Sequence, residues 1–446
     1  MKKLFGTDGV RGIAGTELTN ELAWQIGAAF ATCGGDFLIG EDTRQSSPTL
    51  ASALAAGMQS AGATVRMLGV VPTPAVAQMI PALGCHGGAM ISASHNPHEY
   101  NGIKLFDAQG HKLPDELEAE IERLVGDAPQ RVPLSFSEIT DSAGALSLHA
   151  DDYLAHLRAT VPATLAQDLH AQGLRKIALD CANGSAAATA PQLFGSLGFD
   201  CDILHAQPDG VNINHNCGST HVEHLQAHVQ AHDDICAGFA FDGDADRLLA
   251  VDERGNLVDG DKITAICARQ MLHENRLPHS AVAVTVMTNL GFHVYCDRHG
   301  IAREITQVGD RYVLQRMQER GLALGGEQSG HIILREFAST GDGQLTALQL
   351  LNVMRATGKS LGELADEVAL YPQVLVNVRA DAAAKARLQS DPDIAAAIAR
   401  AEQQLGEHGR VLVRASGTEP LVRVMLEGRD EAEITALAND IAGTMS

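Results

Sequence analysis

Three α/β domains followed by a smaller α+β domain are the architecture that this 446-residue sequence predicts. Three observations predict it. The order apolar strand, polar loop, helix, glycine, strand recurs at 37–69, 177–204 and 281–309. The C-terminal stretch 410–442 reads instead as strand, tight loop, strand, helix. The length also exceeds what one core normally fills, since single cores stop growing at about 250–300 residues.

Taken in order, "FLIGEDTRQSSPTLASALAAGMQSAGATVRMLG" passes from an apolar run to helical spacing and back to a strand. "IALDCANGSAAATAPQLFGSLGFDCDIL" repeats that order with "CANGS" as the loop and Gly198 as the helix stop. "AVAVTVMTNLGFHVYCDRHGIAREITQVG" does so again, with "TNLG" as the loop and Gly300 before the next strand. Units of this length imply parallel neighbouring strands and right-handed crossovers. The expected borders are 1–150, 151–254, 255–368 and 369–446, the last one marked by "YPQVLVNVRA". The Pro, Ser and Gly-rich stretch 126–150 reads as a linker or loose loop. One large doubly wound sheet is the alternative arrangement.

Hydrophobic residues at 45% and charged residues at 20% permit ordinary globular cores, and aromatics at only 4% favour helices packed closely on sheets. The formal charge of −22 argues against nonspecific nucleic-acid binding. It leaves room for an anionic substrate, because screening lets a local Arg/Lys cluster outweigh the global charge. No apolar run approaches the ~18 residues of a membrane span, and "MKKLFGTDGVRG" lacks the apolar core of a secretory leader. The eight cysteines are scattered without a C-x-x-C pair, which reads as reduced thiols in a cytoplasmic protein.

Four loops are richer in polar residues and glycine than turns require. In "AMISASHNPHEYNGIK", Ser92 and Ser94 share one face of an extended chain and His95 faces the other way. That placement, and the missing G-x-S-x-G elbow, disfavour a serine hydrolase. Asn96-Pro97 turns the chain, and "NGIK" brings Lys104 back to the same neighbourhood. In "FDGDADRLLAVD", Asp242, Asp244 and Asp246 crowd like charges that a cation must neutralise. Oxygen-only ligation points to Mg²⁺ or Ca²⁺. An EF-hand fails, because its sixth position needs Gly and holds Arg247.

In "GGEQSGH", Glu327 and Ser329 suit vicinal hydroxyl or amino groups, and His331 can titrate near neutrality. In "RASGTEPLVR", Ser416, Gly417 and Thr418 lie between Arg414 and Arg423, a phosphate cradle. "FGTDGVRG" is a weaker fifth loop with Thr7 and Arg11. "TGKS" at 357–360 is no P-loop, because Val353 stands where the earlier Gly belongs. Together the loops point to phosphoryl transfer on a sugar phosphate, with a noncatalytic sugar-phosphate sensor as the competing class.

"SASHNPHEYNGIK", "DGDADR", "GEQSGH" and "RASGTEPLVR" resemble the four signature loops of the α-D-phosphohexomutases, in order and spacing, over essentially the whole chain. "GTDGVRG", "VPTPA", "VGDRYV", "GGEQSGHII" and "TGDGQLTALQL" are similar to the branch acting on glucosamine phosphates. The glucose and mannose phosphate branches are the alternative, and Gln328 is where they usually differ. Tyr100 departs from the branch, which often has Asp there.

The resemblance implies a four-domain, heart-shaped protein, with three related α/β mixed-sheet domains and a smaller C-terminal α+β domain around a central cleft. It implies an isomerase that converts glucosamine 6-phosphate to the 1-phosphate through a 1,6-bisphosphate that also serves as activator, toward UDP-N-acetylglucosamine and the cell wall. It makes Ser94 the phosphoserine, and Ser94 with Asp242, Asp244 and Asp246 the ligands of one Mg²⁺. Arg11, Lys104, Arg247, His331 and His95 become the catalytic set, with Lys104 and His331 as proton-transfer candidates. Glu327, Ser329, Gly309, Asp310 and Arg311 become sugar-binding residues, and Arg414, Ser416, Gly417, Thr418 and Arg423 grip the second phosphate. A homodimer and a monomer both stay open.

Overall fold

The computed structural model describes residues 4–6, 8–127, 150–381, 385, 387–388, 390–415 and 421–445. The expected linker at 126–150 therefore lies almost wholly outside the described residues. So do Thr7, Ser416, Gly417 and Thr418.

The chain forms two units, one of 1–287 with 301–366 and one of 288–300 with 367–446. Unit one holds three sheets. The first contains β1 (Phe5–Gly6), β2 (Gly9–Ile13), β3 (Gly35–Glu41), β4 (Ala63–Val70), β5 (Gly87–Ile91) and β6 (Tyr100–Phe106), in the order β1-β2-β6-β5-β3-β4. The second contains β7 (Lys176–Asp180), β8 (Asp200–Leu204), β9 (Ile235–Phe241), β10 (Leu248–Asp252) and β11 (Leu257–Val258), in the order β11-β10-β9-β7-β8. The third contains β12 (Ala281–Thr285), β13 (Ala302–Thr306), β14 (Leu324–Gly326) and β15 (Ile332–Leu334), in the order β13-β12-β14-β15. These separate sheets exclude the single large doubly wound sheet.

One four-strand pattern underlies all three. A central strand (β3, β7 or β12) pairs in parallel with the strand that follows its helix (β4, β8 or β13). On its other side it pairs in parallel with a third strand (β5, β9 or β14). That third strand then returns antiparallel as β6, β10 or β15. The site loops all occupy the same place, the turn between the third strand and its return. Loops at the carboxyl ends of parallel strands gather where ligands bind open α/β sheets.

The scarcity of aromatics has a packing consequence. Helices Asn20–Phe30 and Ser47–Ser60 approach so closely that a Cβ on Gly57 would stand 2.0 Å from the Trp24 carbonyl oxygen. Leu50, Leu54, Met58 and Ile26 are buried around this contact, each contributing about 1.5–3 kcal/mol relative to exposure. Any side chain larger than hydrogen at Gly57 would part the two helices.

Unit two contains helix Leu290–His299 and a three-stranded antiparallel sheet of β16 (Gln373–Arg379), β17 (Gly409–Ala415) and β18 (Leu421–Gly428), with β18 central. Helix Pro392–Leu405 and helix Glu431–Gly443 cover it, burying Ala397, Ala401, Ile434 and Ile441 against Val424 and Leu426. The helix expected between β12 and β13 thus forms, yet it belongs to the C-terminal unit. Its close partner is the segment entering β16, since a Cβ on Gly291 would meet the Ala369 carbonyl oxygen at 2.1 Å.

Candidate active site

Ser94 stands three residues past β5, buried at 1% exposure, with φ at +52°. This corrects the extended run expected for 92–95. The left-handed backbone swings His95 round, so that its Nδ1 lies 3.3 Å from Ser94 Oγ instead of facing away. A non-glycine residue at positive φ costs free energy and persists only where its surroundings hold it. Here the holder is Arg44, whose guanidinium donates to the carbonyl oxygens of Ser94, Asn96 and Tyr100 at 2.9 Å each, and also to that of Pro97. Asp42 anchors Arg44 in turn, accepting from Nε at 2.8 Å.

Asp242, Asp244 and Asp246 are buried just past β9. Ser94 Oγ donates to Asp242 Oδ2 at 2.6 Å, which joins the first and second loops. Gly243 permits that approach, because a Cβ there would stand 2.6 Å from the Ser94 carbonyl oxygen. Lys104 comes from β6, opposite Met90 of β5, and donates to Asp244 Oδ2 at 2.8 Å and Asp246 Oδ2 at 3.1 Å. Its Nζ is also 3.2 Å from Asp8. Asp8 further pairs with Arg11 and Lys112, and Lys112 with Asp310.

This crowding separates otherwise similar groups. Burial, then Asp246 and Asp244, raise Asp242 to about 8. Burial opposes ionisation of Asp246 as well, but Lys104 and then His331 hold it well below the carboxylate range. Burial opposes the Lys104 ammonium, while Asp244, Asp246 and Asp8 outweigh it and raise its pKa. Burial, Arg247 and Arg11 lower His95 to about 4, so its ring is neutral at pH 7.

The third loop follows β14. Glu327 is buried and accepts the Gly309 N–H at 3.1 Å, while Ser329 is exposed. His331 Nε2 accepts the Gly341 N–H at 3.0 Å, and its Nδ1 lies 3.7 Å from Asp246 Oδ2. The carboxylates of Asp246 and Asp310 favour the imidazolium. The Gly341 bond favours the neutral ring, because a protonated Nε2 would face another donor. Arg247 lies 3.9 Å from Asp246 through Nε. Arg11 Nη1 donates to Asn96 Oδ1 at 3.2 Å. Arg311 is engaged by Asp115 and by Glu118, the latter at 2.6 Å. In unit two, Arg414 and Arg423 are direct cross-strand partners on β17 and β18.

The three aspartates fit a hard divalent cation. One oxygen of each lies within 4.8 Å of the others. Hydrogen bonds take up Asp242 Oδ1 and Oδ2, Asp244 Oδ2 and Asp246 Oδ2. Asp244 Oδ1 and Asp246 Oδ1 are buried without a hydrogen-bond partner. Two orphaned carboxylate oxygens at that depth are costly unless something binds them, and an all-oxygen set suits Mg²⁺.

The sequence matches four family descriptions in succession. These are Phosphoglucomutase/phosphomannomutase, alpha/beta/alpha domain I at 2–131, domain II at 151–255, domain III at 259–371 and the C-terminal domain at 375–444. The chain belongs to the phosphoglucomutase/phosphomannomutase family. Phosphoglucosamine mutase of Clostridium perfringens is 49% identical over 99% of this chain and 98% of its own. Phosphoglucosamine mutase of Caldicellulosiruptor saccharolyticus is 47% identical over the same shares. Among solved structures, a phosphoglucomutase/phosphomannomutase family protein from Burkholderia thailandensis superposes with a TM-score of 0.80 at 23% identity, covering 100% of this chain and 97% of that one. N-acetylphosphoglucosamine mutase of Aspergillus fumigatus, in complex with GlcNAc-6P and magnesium, superposes at 0.69 and 19% identity, covering 99% of this chain and 95% of that one.

Within this phosphohexomutase fold the structure adds residues that sequence reasoning passed over. Asp8 lies inside "FGTDGVRG", where Thr7 and Arg11 drew attention instead. Thr73 donates to Asp244 Oδ2 at 2.5 Å. Asn214 donates to the Ser94 carbonyl oxygen at 2.9 Å and to that of Asn96 at 3.1 Å. "EDTR" was a visible signal for Arg44, since an arginine after two acids at a strand end is seldom idle. Lys112 and Asn214 carried no comparable signal. All eight cysteines are free, and no helix among the described residues is long and apolar enough to cross a membrane.

Proposed function

We propose that this chain interconverts glucosamine 6-phosphate and glucosamine 1-phosphate, with Ser94 carrying the phosphoryl group. The observation that carries the reading is the 2.6 Å bond from Ser94 Oγ to Asp242, inside the aspartate trio. A phosphate on Ser94 would add about −1.5 to −2 charge where carboxylates are already crowded. Asp242, Asp244, Asp246 and a phosphoserine oxygen would hold one Mg²⁺. When bound, that ion neutralises the crowded charge and polarises the transferring group.

In the forward direction the sugar O1 attacks the phosphorus on Ser94. The new O1–P bond forms as the Oγ–P bond breaks, the O1 proton passes to a base, and Ser94 Oγ regains a proton. His95, neutral and 3.3 Å from Oγ, is placed to take part in that exchange. Lys104, held as an ammonium by three carboxylates, stabilises charge on the transferring oxygens or donates a proton. Arg11, Arg247 and His331 complete the reacting end. The 1,6-bisphosphate then reverses within the site, and Ser94 takes the phosphoryl group from O6, which leaves with a proton. Glu327 and Ser329, with Gly309, Asp310 and Arg311, read the sugar. Arg414, Ser416, Gly417, Thr418 and Arg423 hold the phosphate that is not reacting.

The amino-sugar preference draws on the names of the 47–49% identical relatives. It is tested by comparing kcat/KM for glucosamine, glucose and mannose 6-phosphates in one assay. Glucosamine 6-phosphate should exceed the others by at least about tenfold, or about 1.4 kcal/mol. Equal values would return the chain to the glucose and mannose branch.

A further inference from the structure

We propose that Asp180, His205 and Cys217 form a second metal site, for a transition ion such as Zn²⁺, independent of the mutase reading. The three donors come from the end of β7, the residue after β8, and the loop ahead of helix Glu223–Gln230. One ligand atom of each lies within 4.8 Å of the others. A tetrahedral zinc with bonds of 2.0–2.3 Å places its ligands about 3.3–3.8 Å apart, so small side-chain shifts close the site. Asp180 and Cys217 are fully buried.

The His205 ring carries the argument. Its Nδ1 lies 3.0 Å from Asp180 Oδ2 outside hydrogen-bonding angles, so the pair interacts as ion partners, and that carboxylate raises the ring's pKa. One ring nitrogen of His205 and one carboxylate oxygen of Asp180 lie within 4.8 Å of the Cys217 sulfur. Asp180 is already oriented, accepting the Ala182 N–H on Oδ1 at 2.9 Å and the Gly218 N–H on Oδ2 at 3.0 Å.

The donor set decides the metal. Sulfur, nitrogen and one carboxylate select zinc-like ions, whereas the aspartate trio offers only oxygen to Mg²⁺. Binding releases the Cys217 thiol proton as the sulfur–metal bond forms. The two metals therefore do not compete for one site. A metal here would clamp both ends of the loop 205–217, which also presents Asn214 to the Ser94 carbonyl oxygen.

The test uses the full chain, stripped with chelator, kept in excess Mg²⁺ and titrated with Co²⁺ as the spectroscopic probe. The expected result is one equivalent bound with a thiolate-to-cobalt charge-transfer band that Zn²⁺ abolishes. Cys217→Ser should remove the band. His205→Asn, which tolerates the left-handed φ of +47° at that position, should weaken Co²⁺ binding at least tenfold. The cluster of Asp202, His228 and His232 has no sulfur and is silent in this band. Absence of the band at saturating Co²⁺, or a band unchanged in Cys217→Ser, would overturn the site. If Cys217→Ser does not fold, unchanged Co²⁺ affinity in His205→Asn overturns it equally.

Discussion

Arg44 Nη2 and Asn214 Nδ2 both donate to the carbonyl oxygen of Ser94, each at 2.9 Å. One donor comes from the first sheet's domain and the other from the second, so the serine's backbone is fixed from two sides. The hydroxyl is left to meet Asp242. Asn214→Ala should lower kcat by about tenfold with little change in KM, because the lost bond orients the carrier rather than the sugar. Steady-state kinetics check this. A change confined to KM would assign Asn214 to substrate binding instead.

Arg44→Met is the harsher variant. It removes the only counter-charge shown on the buried Asp42 carboxylate and one donor from each of four carbonyl oxygens, of which those of Ser94 and Asn96 keep Asn214. The native state should therefore lose about 3–5 kcal/mol. Denaturant unfolding measures the loss. A variant as stable as the parent would mean that the Ser94 loop does not need the clamp.

Lys104→Ala should abolish turnover and make stability depend on Mg²⁺. With the ammonium gone, Asp8, Asp244 and Asp246 lose their shared partner, and a divalent ion must compensate more of their charge. The rise in Tm on adding Mg²⁺ should therefore be larger in the variant than in the parent. An equal or smaller rise would separate Lys104 from the aspartate trio.

Chelation should stop activity and Mg²⁺ should restore it. Asp244→Asn should lower Mg²⁺ affinity while the sulfur-containing cluster in the second domain keeps its own. Full activity in excess EDTA would remove the trio's proposed role.

Glu41 provides a pH signature away from the trio. It ends β3, and one of its oxygens is buried without a hydrogen-bond partner. Burial, then Asp42, raise it from 4.5 to about 7. A carboxyl whose folded pKa is raised binds more protons in the native state, so stability falls as pH rises from about 4.5 to 7. Glu41→Gln should remove that fall and gain up to about 3 kcal/mol at pH 8. Parallel unfolding curves for parent and variant between pH 5 and 8 would contradict it.

The repeated strand–helix–strand order was legible because each unit carries its own apolar periodicity and a glycine after its helix. The aspartate trio was legible because three like charges in five residues demand neutralisation. The antiparallel returns β6, β10 and β15 were legible only through the family resemblance, which implied mixed sheets, because "YNGIKLF" or "LLAVD" has no period that distinguishes parallel from antiparallel pairing. His95 was misplaced for a related reason: alternation holds only while φ stays extended, and nothing in "SASHN" announces a left-handed serine. Lys112 and Asn214 act across 104 and 120 residues of sequence, on Asp8 and Ser94 respectively. Such partners appear only once the sheets are assembled.

The claim that Ser94 ferries the phosphoryl group is tested most directly by intact-mass spectrometry of protein first phosphorylated with glucose 1,6-bisphosphate and then given glucosamine 6-phosphate. The account predicts one phosphate on Ser94, its loss to the sugar in a single turnover, and no phosphorylation in Ser94→Ala. A phosphate that stays on Ser94 while product forms, or turnover in Ser94→Ala, would contradict it.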